Sequence, residues 1–113
     1  MPNQTHIDRT FAALSDPTRR AVVQRLVAGP ATVSALAEPF DMALPSFTQH
    51  LGVLESAGLI VSRREGRSRL CALDAAALRA AEDWLAAHRR EWESRMDRFE
   101  AHLSSMTEDE THD

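Results

Sequence analysis

Helix-breaking residues recur so closely up to Gly66 that no long helix can form in that part of the chain. Asp16-Pro17, Gly29-Pro30, Pro39, Gly58 and Gly66 divide it into short pieces. Proline removes a backbone donor and clashes with the preceding turn, while glycine ends helices through positive φ. Before the first break, Ile7, Phe11 and Leu14 predict a short amphipathic helix. Asp16 suits an N-cap and Pro17 the first position of a second helix. Val22, Val23, Leu26 and Val27 form its apolar face, and Gly29-Pro30 ends it. Thr32 can cap a third helix bearing Val33, Leu36 and Ala37, limited by Pro39. A turn at Phe40-Asp41-Met42 leads to a fourth helix from about Leu44 to Ser56, which Gly58 stops.

The pattern then changes period. Leu59-Ile60-Val61-Ser62-Arg63 is apolar and β-branched and reads as a strand. Glu65-Gly66-Arg67 makes a tight reversal, and Ser68 to Leu73 returns. Asp74 caps a long helix expected to reach Leu103. Residues 104–113, SSMTEDETHD, are polar and acidic, and their composition predicts a disordered tail. The expectation is one domain over residues 1–103, mainly α with a small β-hairpin, without internal repeats.

Charge follows this organisation. The net charge is −4, but all 13 basic residues are arginine and five of the 17 acids lie beyond Phe99. Arg63, Arg64, Arg67 and Arg69 surround the reversal with a single acid between them, Glu65. For a nucleic-acid partner such local sign outweighs the total. No apolar run is long enough for a bilayer, and the first ten residues lack a secretory apolar segment. With one cysteine, Cys71, a disulfide framework is excluded, so a cytoplasmic chain without membrane contact is expected.

Two short helices joined by a turn and followed by a basic hairpin fit a winged helix-turn-helix, with Thr32 to Leu73 as its reading head. On the second of those helices Phe47, Leu51 and Leu54 share one face. Pro45, Gln49 and Gly52 lie opposite, flanked by Ser46, Thr48 and Val53. Gln49 can pair bidentately with adenine, and Ser46 and Thr48 can meet phosphates or base edges. Gly52 would let the backbone approach closely. His50 falls nearer the buried side, as a wedged histidine or an additional DNA contact. The hairpin arginines would meet phosphates or enter the minor groove. The bland alternatives are a solvated hairpin and a winged helix used only for protein contacts.

The run Phe11-Ala12-Ala13-Leu14-Ser15-Asp16-Pro17-Thr18-Arg19-Arg20 resembles the opening of arsenical-repressor (ArsR/SmtB) type regulators. Ala43-Leu44-Pro45-Ser46-Phe47-Thr48-Gln49-His50-Leu51 resembles their recognition helix, followed by Val53-Leu54-Glu55 and Ala57-Gly58-Leu59-Ile60. The resemblance covers roughly residues 7–103. It implies a homodimer formed by the first and last helices, and repression at a palindromic operator on double-stranded DNA. Ala43 replaces a common serine cap, and Gln49 and Gly52 stand where relatives often carry lysine, which shifts the expected affinity towards the hairpin arginines.

Family metal sensors need closely spaced thiolates near the third helix or paired His and carboxylate ligands on the last. Thr32 to Met42 contains neither cysteine nor histidine. Cys71 alone cannot hold a soft metal and reads as a small apolar residue; a redox role is the alternative. Glu82, Asp83, His88, Glu91 and His102 are the last helix's potential ligands; His88 and His102 are too far apart for one intrachain site, although an antiparallel dimer could bring them together across its interface. No cofactor and no metal are therefore expected, with a metal- or ligand-responsive repressor as the alternative. Leu78, Leu85, Trp92 and Phe99 repeat every seven residues, widened by Ala81, Trp84, Met96 and Leu103. Ile7, Phe11, Leu85, His88, Trp92, Met96, Phe99 and Leu103 are the expected dimer contacts, against plain packing within the chain. No phosphate loop, nucleophile elbow or metalloprotease motif is present, so an enzyme is not expected.

Overall fold

The computed structural model describes residues 2–111, with side chains described over residues 5–108. The helices are α1 (Pro2–Leu14), α2 (Pro17–Val27), α3 (Val33–Ala37), α4 (Leu44–Ser56) and α5 (Ala75–Thr111). Three strands, β1 (Ala31–Thr32), β2 (Ile60–Glu65) and β3 (Ser68–Leu73), form an antiparallel sheet in the order β1-β3-β2. The described chain falls into two compact units, one reaching Ala81 and the other beginning at Glu82.

Local chemistry sets these boundaries. Asp16 accepts from the Arg19 amide at 3.0 Å and so caps α2, with Pro17 in its first turn. Thr32 Oγ1 accepts from the Ala35 amide at 3.1 Å and caps α3. Asp74 Oδ1 accepts from the Ala76 amide at 3.0 Å where α5 starts. Ala43, at the N-cap of α4, makes no side-chain hydrogen bond, as the alanine there predicts. Gly58 has φ +76°, which lets the chain leave α4 and enter β2 directly.

The hairpin turns through Gly66 and Arg67, between the pair Glu65 and Ser68. Gly66 has φ +63°, the positive first position of a type II′ turn, whose twist suits the flanking strands. The expected hairpin gains a third strand, because Ala31 and Thr32 pair with Cys71 and Leu70. That pairing spans a long stretch of sequence and leaves no local signal.

In the first unit the core joins α2, α3, α4 and the sheet around Val22, Leu26, Leu36, Phe47, Leu54, Leu59, Ile60 and Cys71, all buried. Phe40 and Phe47 pack with ring centroids 5.4 Å apart. Ala77 and Leu78, at the start of α5, pack against this cluster.

The second unit is the remainder of α5, which corrects the expected tail: the helix continues to Thr111 instead of ending at Leu103. Polar composition alone does not stop a helix, and neither glycine nor proline follows Gly66. His112 and Asp113, also assigned to the tail, lie outside the described residues. Among the described residues no helix is long and apolar enough to cross a membrane.

Phe47 is fully buried between the recognition-type helix and the rest of the core. Phe47→Ala should destabilise the fold by about 3–5 kcal/mol, measured by urea unfolding at one fixed protein concentration.

Candidate nucleic-acid interface

Helix α4 divides its side chains as its period requires. Phe47, Leu51 and Leu54 are buried, while Pro45, Ser46, Thr48, Gln49 and Gly52 are exposed. Thr48 Oγ1 donates to the Leu44 carbonyl at 2.9 Å, so its hydroxyl faces outward mainly as an acceptor. Two apolar residues join this outer face, Leu44 at 57% and Val53 at 41% exposure. Leu44 was not singled out from sequence, because an apolar residue at a helix start reads as core.

Gln49, Gly52 and Val53 line an open groove of about 680 Å³ between α1 and α4, together with Arg9 and Arg19. A Cβ added at Gly52 would meet nothing within 4 Å. Packing within the chain therefore does not require glycine there, and the space it leaves is on the outside.

His50 departs from the outward set. It is partly buried, and Arg19 donates from a terminal guanidinium nitrogen to His50 Nδ1 at 3.1 Å. Arginine has no acceptor, so Nδ1 accepts and Nε2 carries the ring proton. Asp16 Oδ2 lies 3.8 Å from the same nitrogen. The Asp16 carboxyl is held below its ordinary pKa, first by the hydrogen bond from the Arg19 amide and further by the Arg19 charge, against some desolvation.

The strand register separates the four hairpin arginines. Ile60, Ser62 and Arg64 share one face of the sheet with their partners Leu73, Cys71 and Arg69. Because Ile60 and Cys71 are buried, this is the core-facing side, and Arg64 and Arg69 prolong it beyond the core. Arg63 lies on the other face, opposite Leu70, and Arg67 sits in the turn. All four are exposed. Arg64 is directly opposite Arg69, and such a like-charge pair disfavours the hairpin. The pair Arg63 to Glu65, at 3.7 Å, is largely exposed and offsets little of this.

Arg69 is also anchored. Its Nε donates to Ser62 Oγ at 3.1 Å, and the Ser62 hydroxyl donates to Glu55 Oε1 at 3.0 Å. Glu55 belongs to α4, so this chain ties the hairpin to the helix beside it. Neither Ser62 nor Glu55 was expected to matter, because only the register brings them together.

The expected dimer residues divide as well. Ile7 is buried within the chain at 7% exposure and so is largely covered already, since the apolar stripe of α1 also serves its own core. Phe11 is exposed at 36%. Taken by itself, the second unit leaves Leu85, Trp92, Phe99, Leu103 and Met106 exposed, with Met96 half-buried. Met106 continues the seven-residue repeat into the segment expected to be disordered. His88 is exposed and its Nδ1 donates to the Trp84 carbonyl at 2.9 Å, with the two ring centroids 4.1 Å apart and the planes tilted by 30°.

A family model described as a helix-turn-helix domain matches residues 14–63. The HTH-type transcriptional regulator Rv2034 of Mycobacterium tuberculosis is 44% identical over 73 residues, 65% of this chain and 68% of that protein. The transcriptional repressor SdpR of Bacillus subtilis is 33% identical over 79 residues, 70% of this chain and 88% of that protein. A crystal structure of an ArsR family transcriptional regulator superposes with TM-score 0.78 at 52% identity, covering 80% of this chain and 94% of that one. The chain belongs to the ArsR family of transcriptional regulators. It is thus a DNA-binding regulator of transcription built on a winged helix-turn-helix, not an enzyme. The homodimeric winged helix-turn-helix domain Mb0332 of Mycobacterium bovis, a possible family member, matches with TM-score 0.61 at 26% identity, covering 77% of this chain and 82% of that one.

Cys71 is buried, and desolvation raises its pKa, with the Glu55 charge adding and Arg69 opposing. Less thiolate is then present at any pH near neutrality. Native protein should react with a disulfide reagent at pH 8 far more slowly than urea-unfolded protein, followed by released thiolate absorbance. Equal rates would contradict this assignment.

Proposed function

We propose that this ArsR-family regulator is a homodimeric repressor that occupies a palindromic operator without responding to a metal. The observation that carries the DNA-reading part is the division of α4. Its apolar stripe is buried, and its polar face is exposed beside a hairpin bearing four exposed arginines. In this reading Pro45, Ser46, Thr48 and Gln49 enter the major groove, with Gln49 addressing adenine. Leu44 and Val53 suit apolar contact with thymine methyl groups. Arg64, Arg67 and Arg69 meet phosphates or the minor groove, with Arg63 reaching the backbone from the opposite face.

A dimer through α1 and α5 is supported by the exposed apolar stripe of α5 and by the homodimeric structural relative. Leu85, Trp92, Met96, Phe99 and Leu103 supply the apolar surface, Phe11 adds to it from α1, and His88 flanks Trp92 one turn away. A C2 dimer presents two reading helices, which is why a two-fold operator is expected. Occupation of a promoter by such a dimer would repress transcription, and the cytoplasm is where that DNA lies.

Metal independence is supported by the donor set. Among the described residues of one chain, no three His, Cys, Asp or Glu side chains converge on a common point. His88 has Nδ1 committed to its own helix, and Cys71 is buried with a raised pKa.

A duplex selected from a random pool by the purified protein serves as probe. Arg67→Ala should weaken binding to all sequences and lower the salt slope by about 0.9, one phosphate contact. Gln49→Ala should also blur sequence preference, costing about 1–3 kcal/mol at one base pair. Affinity should not change with added zinc or chelator; a zinc-dependent change would favour the metal-responsive alternative. Trp92→Glu should yield monomers in analytical ultracentrifugation and abolish operator binding. A surviving dimer would remove α5 from the interface.

A further inference from the structure

The corner between α1 and α2 holds a side chain that does more than close the corner. Arg19 Nε donates to the Ala13 carbonyl at 2.7 Å, and one terminal nitrogen donates to the Ala12 carbonyl at 3.2 Å. Both carbonyls belong to the last turn of α1, and the Ala12 carbonyl also accepts from the Ser15 amide at 3.2 Å and the Ser15 hydroxyl at 2.6 Å. The other terminal nitrogen donates to His50 Nδ1 at 3.1 Å. The backbone of the same residue is held by the Asp16 cap at 3.0 Å. One planar guanidinium therefore joins the end of α1, the start of α2 and the middle of α4, all within the first unit.

The rigid fork matters here. Its donors point in fixed directions, and a flexible ammonium group could not hold three acceptors in one plane. His50 sits at the edge of the buried stripe, immediately after Gln49. A small rotation of α4 about its axis would carry Gln49 along and break the contact with Arg19. Apolar packing of Phe47, Leu51 and Leu54 resists large rotations but is non-directional. The hydrogen bond to Nδ1 adds the missing direction.

We propose that Arg19 and His50 are positioning residues for sequence reading: the Arg19 guanidinium locks the rotation of α4 through His50 Nδ1, and so fixes where Gln49 meets the base edges. Neither residue needs to touch DNA in this role. The proposal rests on α4 being the reading helix, which Gln49→Ala tests separately.

The test compares variants by affinity for the selected duplex against a scrambled duplex, over a range of salt. His50→Ala should lower affinity for the selected duplex about tenfold. Binding to the scrambled duplex and the salt slope should stay as in the wild type. His50→Asn places a carbonyl oxygen near the position of Nδ1 and should recover most of the loss. His50→Gln carries its oxygen one bond further out, near Nε2, and should not. Arg19→Lys should resemble His50→Ala, and the double variant should be no worse than either single one.

Equal defects in His50→Asn and His50→Gln, or additive effects in the double variant, would overturn the proposal. So would a salt slope reduced by about 0.9, which marks a phosphate contact. A change of preference confined to one base pair in His50→Ala would make His50 a base reader instead. If His50→Ala fails to fold, the Asn and Gln pair carries the comparison alone. Should Gln49→Ala leave preference intact while the His50 variants alter it, α4 is misassigned and the proposal falls with it.

Discussion

The structure depends on how α4 spends its apolar stripe. Phe47, Leu51 and Leu54 are buried together with Leu59 and Ile60, so the helix and the strand that follows share one core. A helix of 13 residues would be marginal alone, and most of its stability must come from this packing. The same burial determines which residues remain outside. With three positions of one face committed inward, the helical period leaves Pro45, Ser46, Gln49 and Gly52 exposed. Reading capacity and core formation are two faces of one periodic pattern.

The hairpin shows the opposite balance. Arg64 faces Arg69 across the strands, a pairing that weakens the sheet it sits in. The fold accommodates this with the Gly66 turn, the added strand β1, and the chain from Arg69 through Ser62 to Glu55. Concentrated like charge that the fold has to tolerate is a local conflict, and such conflicts collect at functional sites. In the proposed reading, counterion release on binding phosphates would turn that repulsion into affinity. The hydrogen bond from Ser62 to Glu55 joins the hairpin to the end of α4.

Much of this was legible in the sequence because its signals are local. Caps at Asp16, Thr32 and Asp74, the uncapped start at Ala43, and the stops at Gly58 and Gly66 are decided within a few residues. The resemblance to ArsR-type regulators came from the same short stretches. What escaped depends on distance or on competition between partners. β1 exists only because β3 passes beside it, and Arg19 meets His50 across 31 positions. The helical wheel placed His50 near the buried side but could not name its partner. Ile7 lies on an apolar stripe, and a stripe does not reveal whether its own core or another chain covers it. The extension of α5 runs against the acidic, polar composition of its end, because no glycine or proline there stops a helix.

The division into units also resolves the charge. Residues up to Ala81 carry nine of the 13 arginines and seven of the 17 acids. Residues from Glu82 onward carry the remaining four arginines and ten acids. The chain is therefore acidic only because its last helix is, while the unit that holds the reading helix and wing is positive. The positive unit is the one whose charge suits approach to a polyanion. Of the four arginines beyond Glu82, Arg89 pairs with Glu93 and Arg95 with Glu91 within the helix. A negative total charge is then compatible with DNA binding, because the sign of the unit that holds α4 and the hairpin is positive.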